Sequence, residues 1–103
     1  MAAFLLADVA VADMQAYRDS GYIDTVPRIA AGFGGRYRAR GGDMSVLEGD
    51  WSPRRMVIIE FPDMAALLDF YHSQDYAPWK AIRQRLTDSK WVAVDGLSTE
   101  LLP

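Results

Sequence analysis

The chain has 103 residues, a formal net charge of −3, no cysteine and one histidine, and half of its residues are hydrophobic. A chain of that length is one domain, residues 1–103, and buries only about 60–65% of the surface its unfolded form exposes, so this apolar supply points to a subunit interface or ligand cavity beside the core. The composition excludes disulfide staples, thiolate metal sites and a histidine-rich zinc site within one chain, and the acidic balance gives no general attraction for nucleic acid.

Residues 3–11, AFLLADVAV, form a short apolar run bounded by Asp13 and predict a buried strand. The N-terminus lacks a basic region and reaches Asp8 too soon for a signal peptide. No apolar run approaches the roughly 18–20 residues that span a bilayer. The expected compartment is the cytoplasm, with no membrane partner. Asp13 suits a helix N-cap. Met14, Tyr17, Val26, Ile29, Ala30 and Phe33 recur at mostly helical spacing, interrupted near Gly21, with Thr25 capping a second piece and Pro27 in its first turn. Gly34-Gly35 ends that helix.

Residues 36–40, RYRAR, alternate with the period of a strand, and Gly41-Gly42 breaks it as a bulge or bend. Residues 44–48, MSVLE, read as its continuation, and Gly49-Asp50-Trp51-Ser52-Pro53 carries turn chemistry. Residues 55–61, RMVIIEF, are the clearest strand. Asp63 caps the next helix, whose stripe is Met64, Leu67, Leu68 and Tyr71. The helix restarts at Ser73-Gln74-Asp75, with Pro78 in the new first turn and Tyr76, Trp79, Ile82 and Leu86 continuing the stripe. Residues 90–95, KWVAVD, form a last strand closed by Gly96, and the tail LSTELLP takes no assignment.

This order predicts an α+β, ferredoxin-like β-α-β-β-α-β fold: a four-stranded antiparallel sheet with the helices on one face. A solvated open face would be polar. Yet Phe4 and Leu6 alternate with Leu5, Ala7 and Val9, and Met56 and Ile58 alternate with Val57, Ile59 and Phe61. Both faces read apolar, which predicts a homodimer packed on the open face, against the alternative of a tolerated apolar patch.

Regular alternation places Arg36, Arg38 and Arg40 on one strand face, the open side if Tyr37 and Ala39 face the helices. Asp8 and Glu60 fall on that same side. Arginine's planar fork suits an anionic ligand, and Glu60 or Asp8 would accept a proton. The same groups also suit ion pairs across strands or at the dimer interface. Tyr71, Tyr76 and Arg83 form a second group, fit for a pocket wall or a core edge; Tyr17 is similar. His72 lies off the stripe without a partner. The glycines at 32, 34, 35, 41 and 42 follow a helix and flank a strand, so they make no dinucleotide fingerprint. One aromatic in RYRAR makes no nucleic-acid site, and no Ser-His-Asp or nucleophile-elbow pattern is present.

Through the Tyr17 helix, Gly34-Gly35-Arg36-Tyr37, Arg40-Gly41-Gly42, Val46-Leu47-Glu48-Gly49-Asp50-Trp51, Val57-Ile58-Ile59-Glu60-Phe61-Pro62, Phe70-Tyr71, Ser73 and Tyr76, the chain resembles domain-of-unknown-function family 1330 from about residue 3 to residue 96. The resemblance implies a dimeric α/β barrel, two ferredoxin-like sheets face to face. That superfamily holds small monooxygenases, lactone isomerases and haem enzymes beside many proteins of no known activity, and fold alone does not choose among them. The resemblance marks Arg40, Glu48, Glu60, Tyr71, Tyr76 and Arg83 as site positions. Ser20-Gly21-Tyr22 and His72 depart from its pattern and take no role.

Together these readings make Glu60 and Arg40 catalytic candidates, and Tyr71, Tyr76, Arg83, Glu48, Asp8, Arg36 and Arg38 candidates for substrate binding. The expectation is a homodimer holding a small polar or anionic molecule in a cleft between sheet and helices, with cofactor-independent acid–base chemistry and no metal. The alternative is a non-catalytic binding or interaction module whose polar cluster fixes subunit register.

Overall fold

Strict alternation in the first strand decides the architecture. Strand β1 (Ala3–Val11) buries Ala3, Leu5, Ala7 and Val9 and turns Phe4, Leu6 and Asp8 to the other side. The computed structural model describes residues 1–97, so most of the unassigned tail, from residue 98, lies outside the described residues. The elements after β1 are α1 (Met14–Asp19), α2 (Tyr22–Gly32), β2 (Arg36–Arg40), β3 (Met56–Phe61), α3 (Met64–Tyr71), α4 (Ala77–Leu86) and β4 (Thr87–Asp95). The sheet order is β2-β3-β1-β4 with every neighbour antiparallel. This is the predicted ferredoxin-like plan.

The helix starts follow from short polar side chains. Asp13 accepts the Ala16 N–H at 3.0 Å and Asp63 accepts the Ala66 N–H at 2.8 Å, each capping donors that the first turn leaves free. Gly21, at φ 86°, divides α1 from α2, a backbone conformation that glycine adopts without strain. α2 begins earlier than expected. The Thr25 N–H donates to the Gly21 carbonyl, so Thr25 is already inside the first turn and is not the cap. Pro27 therefore sits within the helix, and it has no N–H for the Ile23 carbonyl four residues back. That carbonyl accepts instead from Arg40 Nη1 at 3.3 Å.

Residues 44–48 do not continue β2. The chain leaves the sheet at Gly41 (φ 69°) and runs as an exposed loop to Arg55. The loop's return is fixed by backbone bonds: Val9 N–H to the Arg55 carbonyl at 2.9 Å, and Gly41 N–H to the Met56 carbonyl at 2.8 Å. β4 begins three residues before the predicted Lys90, directly after α4.

The helices cover the face of Leu5, Ile59 and Phe61, joined in the core by Val26, Leu67, Phe70 and Tyr76. On α3 the buried stripe is Leu67 and Phe70; Leu68, placed in that stripe by spacing, is 43% exposed. Phe70 stacks on Tyr76 at 4.6 Å between centroids and also meets Phe61 at 5.4 Å. The opposite sheet face carries Phe4, Leu6, Ile58 and Met56 beside Val92 and Val94, which are 60% and 48% exposed.

Candidate functional site

One inserted residue in β2 decides which side chains meet. Arg36 pairs with Glu60 and Tyr37 with Ile59, but Ala39 then pairs with Ile58 and Arg40 with Val57, leaving Arg38 as the extra residue of a β-bulge. A single extra residue reverses the alternation beyond it. Tyr37 and Arg40 therefore both share the helix-facing side with Ile59 and Val57, while Arg36 stays opposite with Glu60. The expectation that three arginines share the open face is corrected: Arg40 crosses the sheet. The bulge also precedes Gly41-Gly42, where the break was expected, and uses no glycine.

The crossing puts Arg40 at a cavity of about 30 Å³ between the sheet and the first two helices. Its apolar walls are Val9, Ile23 and Val57, its aromatic walls Tyr17, Tyr22, Tyr37 and Trp91, and its cations Arg40 and Arg55. Among the described residues, no aspartate, glutamate or histidine lines it. Arg40 is exposed and so marks the mouth. It is held there by the Ile23 carbonyl and by the Tyr37 ring, 5.4 Å from its guanidinium carbon. The Arg55 side chain donates to no described residue, and its Nε is buried without a partner. Its guanidinium lies against Gly41, where a Cβ would approach within 3.0–3.1 Å.

A buried polar chain backs this chamber. The Tyr22 and Tyr76 hydroxyls lie 2.5 Å apart, and Arg83 Nη2 donates to the Tyr76 hydroxyl at 3.4 Å. Arg83 Nη1 donates to Ser89 Oγ at 3.2 Å, which also accepts the Trp91 indole N–H at 2.9 Å. The Arg83 guanidinium carbon sits 4.1 Å from the Trp91 ring centroid. Arg83 is 3% exposed, has no carboxylate partner among the described residues, and keeps its Nε unpaired. An isolated buried cation is costly unless something compensates it.

Burial sets the protonation of the tyrosines. It pushes the Tyr17 phenol up to about 12, with Tyr76 adding to the shift and Arg55 and Arg83 opposing it. It pushes Tyr22 and Tyr37 up as well, in each case with Tyr76 adding. All three hydroxyls keep their protons at neutral pH. The Tyr17 and Tyr37 hydroxyls bond no described residue.

The remaining predicted site residues lie elsewhere. Glu60 pairs with Arg38 at 3.0 Å on the open face, an exposed cross-strand ion pair that contributes at most about 1 kcal/mol. Arg36 stands opposite Glu60 and is exposed. Glu48 is on the exposed loop, beside a groove with Leu6, Trp51 and Met56. Tyr71 is half-buried outside the chamber, with Lys80 Nζ 4.3 Å above its ring centroid. Glu60 and Arg40, paired in the sequence reading, are on opposite faces of the sheet. Tyr22, left without a role, belongs to the buried chain. Arg55, Tyr22, Tyr37 and Trp91 were missed. For Arg55 the signal was present, since it has the parity of the partly buried Val57 and the buried Ile59 and Phe61. Among the described residues no three histidine, aspartate or glutamate side chains gather to hold a metal ion.

Asp8 ties the loop to the sheet, accepting the Arg54 N–H at 2.9 Å and the Trp51 indole N–H at 3.3 Å. Burial acts to raise its carboxyl, but the Arg54, Trp51 and Arg55 hydrogen bonds and the Lys90 charge outweigh it, and the net shift is downward from 3.8. A depressed folded-state value means that this anchor is present above about pH 3.8 and is lost as pH falls through the lower folded value. The Trp51 indole N–H resonance is expected to hold its position from about pH 7 to about pH 4 and move below that. Asp8→Asn should abolish the step; an unchanged step would assign it to another group.

The family model described as Domain of unknown function (DUF1330) matches residues 2–97. The methylated RPA0582 protein has a similar structure, with 19% identity over 95% of this chain and 82% of that one, at a TM-score of 0.66. RPA0582 itself, described as a protein of unknown function from Rhodopseudomonas palustris, gives 20% identity over 94% and 83%, at 0.62. SnoaB, a cofactor-independent oxygenase from Streptomyces nogalater, gives 13% over 98% and 97%, at 0.58. Among curated protein sequences there is no match. Identities this low speak for the fold alone.

Proposed function

The chain belongs to the DUF1330 family, and from that premise we propose that it binds a small molecule whose anionic group enters the chamber between sheet and helices. One observation carries this reading: among the described residues, the chamber is lined by donors and cations, with no carboxylate and no histidine. Arg40, Arg55 and the protonated Tyr17 and Tyr37 offer N–H and O–H groups, and no described lining side chain is a carboxylate. A bound anion would offset the desolvation of these guanidiniums, and a cation would aggravate it. Acid–base catalysis has less support. The tyrosines hold their protons, and the carboxylate proposed as base, Glu60, faces away across the sheet. Binding without proton transfer is therefore the reading put forward.

The same proposal includes a homodimer through the open sheet face. Its support is the apolar strip of partly buried Phe4, Leu6 and Ile58 with exposed Val92 and Val94, together with exposed Trp51 and Leu47, the last 89% exposed. An exposed apolar strip of this kind marks an interaction surface.

Thermal melts with a panel of small anions at fixed ionic strength test the chamber. A ligand at a hundredfold excess over its Kd should add about 2.7 kcal/mol of stability. If no anion raised the midpoint above that in chloride, the binding reading would fall. Light scattering tests the dimer: twice the chain mass is expected, falling to one chain mass in Val92→Glu. A monomeric wild type would end that part of the proposal.

A further inference from the structure

Resting on the homodimer reading, we infer that the loop from Gly41 to Arg55 is the arm of that dimer. It docks on the far end of a second copy's open sheet face, where its acidic tip meets the partner's Arg36 and the partner's Arg38. The loop lies on the open side of its own sheet. Asp8 holds it there through the Arg54 and Trp51 N–H groups, and it shares a groove with Leu6 and Met56. It carries Met44, Val46, Leu47 and Trp51 into that position, all of them exposed.

Size calls for the loop as well as the strands. Four strands of five to nine residues, about 4.8 Å apart and rising about 3.3 Å per residue, present a flat area of about 450 Å². A stable interface takes about 800 Å² from each partner. The sheet face alone is about half of that, and the exposed apolar side chains of the loop adjoin it.

Charge fixes the orientation. Residues 41–53 hold Asp43, Glu48 and Asp50 and no lysine, arginine or histidine. The loop's own end of the open face is also acidic, with Asp8 and Asp88 against Lys90 among the described residues. The far end is basic. Arg36 stands opposite Glu60, which already pairs with Arg38, so two arginines meet one carboxylate there. A two-fold axis along the strands would stack near end on near end and set the acidic loop over carboxylates. An axis across the strands lays each loop over the partner's far end and its excess arginine, and the symmetry makes that contact twice. The same axis brings Leu47 to the partner's Phe4, since Phe4 is the neighbour of Glu60 across the sheet.

Sedimentation equilibrium at low and high salt tests this on the wild type, Glu48→Arg, Arg36→Glu and the double variant. Each single reversal should weaken the dimer about 10-fold at low salt, because both copies of the contact turn repulsive, and less at high salt. The double exchange should restore wild-type affinity. Both side chains are exposed, so these variants keep the fold. The absence of cysteine allows a second readout. A mixture of Leu47→Cys and Phe4→Cys chains should oxidise to a mixed disulfide-linked dimer, and a mixture of Leu47→Cys and Met56→Cys chains should not. Cross-linking to Met56→Cys in place of Phe4→Cys would overturn the orientation. Wild-type dissociation constants in both single reversals, or no recovery in the double variant, would overturn the docking of the loop while leaving a dimer. A monomeric wild type would remove the dimer reading itself.

Discussion

Replacing Phe70 by alanine is expected to remove about 3–5 kcal/mol of folding stability. Phe70 is fully buried and lies among three aromatic rings: Tyr76 at 4.6 Å, Phe61 at 5.4 Å and Phe33 at 6.1 Å between centroids. None of these rings can move into the void without leaving another contact, so the cavity would persist and its cost would be near the top of that range. A domain of this size holds about 5–15 kcal/mol in all, so the variant would approach the edge of folding. Urea unfolding followed by far-ultraviolet circular dichroism measures it, with unchanged m-values identifying a true loss of stability. A loss under about 1 kcal/mol would show that the helices close over the gap. Phe70→Leu should fold and still weaken anion binding, because the ring that Phe70 supports is Tyr76, whose hydroxyl meets both Tyr22 at the chamber wall and Arg83 behind it.

What the sequence disclosed and what it hid follow from the range of the forces involved. The parity of β1 and β3, the caps at Asp13 and Asp63 and the element order are local, and all were legible. So was the placement of Arg55, had its parity with Val57 been followed one step back from the strand. On α4 the spacing Tyr76, Trp79, Arg83, Leu86 runs along one helix face, so Arg83 belongs to the buried stripe although its charge argues for the surface. The bulge at Arg38 was not legible. Arg36, Arg38 and Arg40 alternate without a flaw, no glycine marks the insertion, and only pairing with β3 reveals that one residue has no partner. The loop segment MSVLE failed for the converse reason. Its alternation suits a strand, but the chain has already turned away from β3 at Gly41. The candidate site depended on the bulge, which carried Arg40 from the open face, where the three arginines were expected, to the helix side, where the cleft was expected.

Pro27 and Arg40 illustrate how far apart the partners of one arrangement lie. A proline inside α2 removes the N–H that the Ile23 carbonyl would otherwise accept. An arginine delivered by a bulge on another element supplies the missing donor, and in doing so stands at the chamber mouth. Neither residue explains the other from sequence spacing.

The Tyr22–Tyr76 hydroxyl pair yields the second large effect. Tyr76→Phe leaves the Tyr22 hydroxyl without its partner and takes from Arg83 Nη2 the acceptor it reaches at 3.4 Å. Stranding buried polar groups costs about 1–3 kcal/mol. Tyr22→Phe should cost less, because the Tyr76 hydroxyl keeps its bond from Arg83. The double variant should cost less than the sum of the two, since removing both hydroxyls leaves only Arg83 short of a partner. The expected coupling is about 0.5–3 kcal/mol. Chemical unfolding of the four proteins measures it. Additive losses would mean that the two hydroxyls do not share a hydrogen bond in solution.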